Sequence, residues 1–474
     1  MIHIDFSGKG KDNLQITGDP SVISLVREYF SVPNPAYRSN VPYVSSRLYC
    51  ITPGGKFEIG LLKEIITFLE SKHYTFEVKP EVFQIFKPGF DNFSITSLKI
   101  PFRGYQEKAI YSSVSQGRGM IILPTASGKT LVMAGLIQNI LPLLKNPQSK
   151  VMVVVPSIQL VEQTSDDFLN YGLESITKWS GNNKPDFSKN IIIAGTQILL
   201  SKSSDLSILN DIDLFLCDEA HGIRRGNNIN KIFSLLKTPY KFGFTGTMPS
   251  SLIDQWNIIG KFGPINYEEK TIDLKNQTFI SNFQIIILKI KHPRVFSFPN
   301  NFNNPALMYQ EELEFLINDD RRNEIISNLA LNLPNNTIIM ADRIQHGILL
   351  ETKLKNLNKN NRQIFFIQGS TDIEEREAIR RIMDEHNDII VIAISKIFST
   401  GINIPNLHNV IFGSAGKAKI KIMQSIGRAL RLHPTKKTAN IFDIADDTKY
   451  SKIHLKERKK LYEQEKYKVT EKEI

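Results

Sequence analysis

Short apolar runs of five to eight residues alternate, over most of this chain, with segments of helical periodicity. A strand that is apolar on both faces has to be covered on both faces, and helices between such strands supply that cover. The pattern predicts an α/β protein with parallel sheets. MIILP (120–124), KVMVVVP (150–156), NIIIAG (190–195), LFLCD (214–218) and KFGFTG (241–246) form one set. FQIIILKI (283–290), NTIIMAD (336–342), QIFFIQG (363–369), DIIVIAI (388–394) and NVIFG (409–413) form a second, separated by helical stretches such as EEREAIRRIMDEH (374–386). Two similar lobes in tandem are expected, residues 96–278 and 279–450. Ahead of them, residues 1–95 combine short alternating segments, a proline-bearing loop (31–42) and one helix candidate, GLLKEIITFLESK (60–72), which predict a small α+β domain. Residues 451–474 form a charged tail whose segment SKIHLKERKKLYEQEKYK (451–468) is expected to be a solvated helix.

The first lobe carries a candidate phosphate loop. Residues 123–130 read LPTASGKT, after a strand and before the helical stretch TLVMAGLIQNILPLL (130–144). The general pattern GxxxxGK[ST] asks for glycine at position 123, where this chain has leucine. A Gly-Lys-Ser/Thr triplet alone arises by accident in roughly one chain in four of this length. The strand–loop–helix setting is what a phosphate loop requires. In that setting Pro124, Thr125, Ala126, Ser127 and Gly128 wrap the phosphates, Lys129 reaches the β/γ-phosphates, and the Thr130 hydroxyl ligates Mg²⁺. Otherwise the segment is a surface loop with a solvated lysine.

A second element follows. The strand LFLCD runs into Asp218-Glu219-Ala220-His221. A carboxylate at the end of a neighbouring parallel strand suits Asp218 to Mg²⁺, and Glu219 to activating a water. Acidic caps on strand ends are common, but this four-residue string is expected by accident in well under about 1% of chains.

The net charge of +11 and the pI near 9.3 fit either a soluble basic surface or a polyanionic partner, and nucleic acid is the expected one. Cys50 and Cys217 stand apart, in no metal-binding spacing, so neither a disulfide framework nor a zinc site is expected. The N-terminal segment MIHIDFSGKG has no signal-peptide core, and no apolar run approaches the 18 or so residues that span a bilayer; a cytoplasmic location is expected.

With these residues in view, the chain resembles the superfamily 2 helicases and translocases over roughly residues 100–450. RGYQEKAI (103–110) resembles the adenine-side Arg-x-Tyr-Gln element, VVVPSIQLVEQ (153–163) motif Ia, GTQIL (195–199) motif Ib and FGFTGT (242–247) motif III. IAISKIFSTGINIPNLHNVI (392–411) resembles motif V and QSIGRALR (424–431) motif VI. Loops of this superfamily commonly lack the first glycine and end in Gly-x-Gly-Lys-Thr, so one departure remains: Ala126 stands at the earlier glycine. If position 126 takes a positive φ, alanine costs about 1 kcal/mol or more there. Asn403 is a second departure, where motif V usually has aspartate.

The resemblance implies two RecA-like lobes that hold ATP and Mg²⁺ between them and move along nucleic acid. Arg103 and Gln106 would contact the adenine side, Gly401 the nucleotide, and Thr130 and Asp218 the metal. Glu219 would be the catalytic base, with Gln424 at the nucleotide or the attacking water. Arg428 and Arg431 would be arginine fingers, three residues apart on one helix face; taken alone, such a pair is more often solvated. His221, Thr245 and Thr247 would couple hydrolysis to grip. Ser157, Thr196, Ser370 and Thr400 would hold the nucleic-acid backbone without reading sequence. The helix EEREAIRR (374–381) interleaves glutamates with its arginines and is expected to be a solvated, self-paired face.

Within the superfamily, the loop-then-helix pattern of the N-terminal unit, the Thr-Gly-Thr of motif III and the segment ANIFDIADD (439–447) are similar to the bacteriophage UvsW-type helicases. That similarity implies a DNA motor of recombination and repair. It would act on branched DNA by branch migration, fork regression, annealing or unwinding, and on RNA–DNA hybrids. The N-terminal domain would bind DNA, the motor would be a monomer, and a phage-encoded form would work in the host cytoplasm. An RNA helicase, the motor of a restriction or repair complex, and a DNA-binding protein with a vestigial ATP site stay open as alternatives.

Overall fold

The computed structural model describes residues 1–8, 12–37, 44–86, 90, 93–144, 146–181, 183–201, 204–224, 226, 229–276, 280–293, 304–395, 404, 406–413, 427, 433, 436 and 438–474. The chain divides into two compact units. One comprises residues 1–123 and 128–269, the other 124–127 and 270–474.

In the first unit, seven strands form a sheet in the order Ile265–Glu268, Gly119–Ile122, Lys241–Thr245, Ile212–Cys217, Lys150–Val155, Ile191–Gly195, Ile176–Trp179. Every pairing is parallel. The inner strands are buried along almost their whole length, as their unbroken apolar sequences demand. Helices such as Lys129–Ile140 and Ile158–Tyr171 make the crossovers. The strand ends Leu123, Val155, Gly195, Cys217 and Thr245 therefore share one edge, where polar loops can gather.

The same unit contains the small α+β domain. Its sheet runs Lys56–Glu58, Asn13–Thr17, Ile2–Phe6, Phe76–Val78, with antiparallel pairing except for the last pair. Helices Pro20–Tyr29 and Leu62–Ser71 cover it, and the second matches the periodic segment expected there. Its core includes Ile4, Leu14, Val26, Phe30, Ile65 and Leu69, and it extends to Ile259 of the first lobe. Charge also crosses this boundary. Arg118 and Lys241 are almost fully buried; Arg118 Nη1 lies 3.3 Å and Lys241 Nζ 2.5 Å from the Asp12 carboxylate. Arg118 also donates to the carbonyls of Phe262 and Lys261, at 2.7 Å each.

The second unit holds another all-parallel sheet, in the order Ile364–Ile367, Ile390–Ile394, Thr337–Ala341, Asn409–Phe412, Thr438–Asp446, Asn282–Ile290, Val469–Glu473. Two RecA-like lobes and an α+β N-terminal region are thus present, as the alternating pattern predicted. On the helix Ile373–Glu385, Arg380 pairs with Glu377 at 2.7 Å and Asp384 at 2.8 Å, the self-pairing expected of it.

The C-terminal segment differs from expectation. The helix Lys449–Gln464 is not merely solvated, because Arg458, Leu461 and Tyr462 are buried. Arg458 forms an ion pair with the buried Asp443, Nη2 to Oδ1 at 2.8 Å, and the Tyr462 hydroxyl donates to Asp443 Oδ2 at 2.9 Å. The strand Val469–Glu473 then joins the sheet beside Asn282–Ile290. High charge density concealed one buried stripe and an edge strand whose exposed Glu471, Lys472 and Glu473 suit an edge.

Burial lowers the Lys241 pKa from 10.5 to about 8; Arg118 adds to this and Asp12 opposes it. In this window the unfolded chain binds more protons than the folded one, so the Lys241 contribution makes stability rise with pH from about 8 towards 10.5. Urea denaturation at pH 7.5, 8.5 and 9.5 checks this: Lys241→Met should flatten the rise relative to the parent. Asp12→Ala should destabilise by about 3 kcal/mol at pH 7.5, since it strands two buried cations.

Candidate nucleotide-binding site

The carboxyl edge of the first sheet brings together residues distant in sequence. Gly128 precedes the helix Lys129–Ile140 and adopts φ 77°, ψ 42°. The positive φ favours glycine, and a Cβ at Gly128 would also lie 2.7 Å from Gln106 Nε2, so a larger residue would push that side chain aside. Gln106 is buried, and its Oε1 accepts from the Arg103 N–H at 2.9 Å, which fixes the start of the helix Gly104–Gln116. Arg103 in turn donates to the Tyr105 hydroxyl at 3.3 Å. The Arg-x-Tyr-Gln element thus stands against the phosphate loop.

The loop turns on two hydrogen bonds, from Ser127 N–H and Ser127 Oγ to the Pro124 carbonyl, at 3.2 and 2.6 Å. Thr125 and Ala126 occupy the turn between. Ala126 has φ 69°. The condition under which alanine is costly at this position is met, and the chain carries that strain in its phosphate loop.

Lys129 faces the acidic pair. Its Nζ lies 3.0 Å from Glu219 Oε1 and 4.0 Å from Asp218 Oδ1, and all three side chains are largely buried. Asp218 follows the strand Ile212–Cys217 and is held by its N–H on the Val154 carbonyl at 2.8 Å. Glu219 adopts φ 49°, a second non-glycine residue in the left-handed region at this edge. Burial pushes the Asp218 carboxyl up to about 6, against the pull of Lys129. Burial acts on Glu219 in the same sense, but Lys129 and His221 outweigh it and hold that carboxyl far below the usual range.

The residues expected to couple hydrolysis to grip form a connected chain with Glu219. His221 Nδ1 lies 3.1 Å from Glu219 Oε2 and 3.0 Å from Thr245 Oγ1. The Thr245 hydroxyl donates to the Thr247 carbonyl at 3.0 Å and accepts from the Thr247 N–H at 3.3 Å. Since the Thr245 proton is committed to Thr247, the proton between His221 and Thr245 belongs to the imidazole, which places N–H on Nδ1.

Asp218 Oδ1 is buried without a hydrogen-bond partner. An anionic oxygen in that state matches a hard cation, and Thr130, in the first turn of the adjoining helix, supplies a hydroxyl of the type Mg²⁺ accepts. Of the backbone-gripping candidates, Ser157 caps the helix Ile158–Tyr171 by accepting from Leu160 N–H at 3.3 Å, and Thr196 Oγ1 donates to the Val155 carbonyl at 3.1 Å. Both therefore lie on the carboxyl edge with local hydrogen bonds of their own. Ser370 is exposed in the second lobe. Thr400, Gly401, Asn403, Gln424, Arg428 and Arg431 lie outside the described residues.

Sequence reasoning missed the Lys129–Glu219 ion pair and the strain at Glu219. The only signal was a lysine and two carboxylates at the ends of different strands of one sheet. Ala126→Gly should raise unfolding stability by about 1 kcal/mol, and Ala126→Val should lower it by about the same or more; denaturant titration of the full chain reads both.

Comparison with known proteins agrees with this geometry. The family model "Type III restriction enzyme, res subunit" matches residues 99–250, and "Helicase conserved C-terminal domain" matches residues 321–433. The chain is 26% identical over 478 residues to the ATP-dependent DNA helicase uvsW of Enterobacteria phage T4, covering 94% of this chain and 92% of that protein. It is 22% identical to the DNA 3'-5' translocase XPB2 of Sulfurisphaera tokodaii, over 72% of this chain and 80% of that protein. A fragment of a putative HsdR subunit of a type I restriction enzyme from Vibrio vulnificus shares the fold, with TM-score 0.58 and 17% identity over 91% of this chain and 75% of that one. The two family models together span more than half of the chain and indicate a superfamily 2 helicase, similar to uvsW along almost its whole length.

Proposed function

We propose that the chain is an ATP-dependent DNA helicase or translocase that remodels branched DNA, by branch migration, fork regression, annealing or unwinding. The observation that carries the chemistry is the Lys129–Glu219 pair at 3.0 Å, beside an Asp218 oxygen that lacks a donor. While Lys129 holds Glu219, the carboxylate is a poor base. Nucleotide phosphates compete for the same ammonium. When Lys129 moves to them, the Glu219 proton affinity rises and the residue becomes able to take a proton from the attacking water. Hydrolysis is thereby tied to occupancy.

Thr130 and Asp218 would hold Mg²⁺, which when bound neutralises charge on the transferring phosphoryl group. The hydrogen-bonded chain from Glu219 through His221 and Thr245 to Thr247 carries a change at the carboxylate to the loop after motif III. Gly401, Gln424, Arg428 and Arg431 complete the nucleotide site in this proposal, and Ser157, Thr196, Ser370 and Thr400 grip the strand. The DNA assignment draws on the similarity to the DNA helicase uvsW and the DNA translocase XPB2 and on the net charge of +11. We assign 1–95 as a DNA-binding domain and 96–278 and 279–450 as the motor lobes, with 451–474 completing the sheet of the second lobe. The working unit is a monomer, with RNA–DNA hybrids among its substrates.

Steady-state ATP hydrolysis tests this with no nucleic acid, single-stranded DNA, duplex DNA, a four-way junction and RNA. The junction should stimulate most. Lys129→Ala and Glu219→Gln should each lower the stimulated kcat by about 10²-fold or more. Stimulation by RNA alone would transfer the protein to the RNA helicases. No hydrolysis with any of them would leave a DNA-binding protein.

A further inference from the structure

The helix Leu252–Phe262 lies between two cores and touches both motif loops. On one side, Ile258 and Phe262 belong to the core of the first lobe, with Phe215 and Phe233. On the other, Ile259 belongs to the core of the N-terminal domain, and Trp256 packs against Phe30 with centroids 5.3 Å apart and the rings tilted by 60°. The helix has no slack against that domain. A Cβ at Gly60 would stand 1.9 Å from the Ile259 carbonyl oxygen, and one at Gly260 would stand 2.5 Å from Glu58 Oε2. Lys261 pairs with Glu58, and Arg118 ties the helix end to Asp12.

Two side chains of this helix reach the loops that follow the two motifs. Gln255 Nε2 donates to the Pro249 carbonyl at 2.7 Å, two residues beyond Thr247. Asn257 Nδ2 donates to the Ile223 carbonyl at 2.9 Å, two residues beyond His221. Met248, between Thr247 and Pro249, packs against both cores. The loops that follow the Asp-Glu-Ala-His and Thr-Gly-Thr motifs therefore hang from one helix, and that helix is part of the N-terminal domain's core.

We propose that the helix Leu252–Phe262 transmits engagement of the N-terminal domain to the nucleotide site, with Gln255 and Asn257 as positioning residues for Thr245–Thr247 and Glu219–His221. The proposal rests on the reading of the chain as a DNA-driven ATPase. Tightly packed elements shift as bodies rather than deform. A load on the N-terminal domain displaces the helix, and the two amide hydrogen bonds pass the displacement to both loops together. DNA held by this domain would thereby set how well Glu219 and His221 are aligned.

The test uses the full chain with a four-way junction assembled from oligonucleotides, and reads kcat and ATP KM with and without it. In Gln255→Leu and Asn257→Leu, the ratio of stimulated to unstimulated kcat should fall about fivefold, as one lost hydrogen bond of about 1 kcal/mol implies, with ATP KM within about twofold. Glu58→Gln, a milder change on the far side of the helix, should lower the same ratio about twofold. Stimulated and unstimulated rates falling together would mark a merely structural role and overturn the proposal. An unchanged ratio in all three variants would overturn it too, while leaving the helicase reading intact. A parent protein that hydrolyses ATP without any response to the junction would overturn both.

Discussion

A parallel sheet covered by helices on both faces leaves polar groups one place to gather, at the ends of its strands. In the first lobe both ends are used: Arg118 and Lys241 meet Asp12 at the amino ends of two strands, and on the carboxyl edge Lys129 follows one strand, Asp218 and Glu219 another, and Thr245 ends a third. Because the edge is shared, residues some ninety positions apart meet within hydrogen-bond distance. The ion pair there neutralises charges that would otherwise be expensive to keep largely out of water.

Strain accompanies that chemistry. Ala126 and Glu219 both take left-handed backbone conformations, and each flanks a functional side chain. Residues outside glycine hold such conformations only where the surrounding structure over-determines them, and such strain clusters at functional sites.

How much of this could be read in the sequence follows from burial. Strands covered on both faces, such as KVMVVV and NIIIAG, declare themselves by unbroken apolar sequence, and all those expected are present. Of the edge strands, only the apolar QIFFIQG was legible. ITKW (176–179), INYE (265–268) and VTEKE (469–473) are half-solvated and short, so their patterns resemble loops. The site was legible through its motifs, since Lys129, Asp218, Glu219, His221 and Thr245 do converge. The φ of Ala126 was not, because only glycine advertises a left-handed position. Nor was the burial of Arg458, whose partner Asp443 lies on a strand and whose neighbours are mostly charged. The roles of Gln255 and Asn257 depend on two main-chain carbonyls, which no sequence pattern records.

The second sheet has a further consequence for how the chain is made. The strand Asn282–Ile290 is the first of its lobe, yet its neighbours are Thr438–Asp446 and Val469–Glu473; Ile285 pairs with Ile441 on one side and Val469 on the other. During synthesis, both edges of this highly apolar strand stay open until more than a hundred further residues have emerged. The first lobe can close on itself well before then. Growth of the polypeptide therefore passes through a stage with one finished lobe and one sticky, unmatched ribbon, and the second lobe's helices must shield that ribbon until its partners arrive.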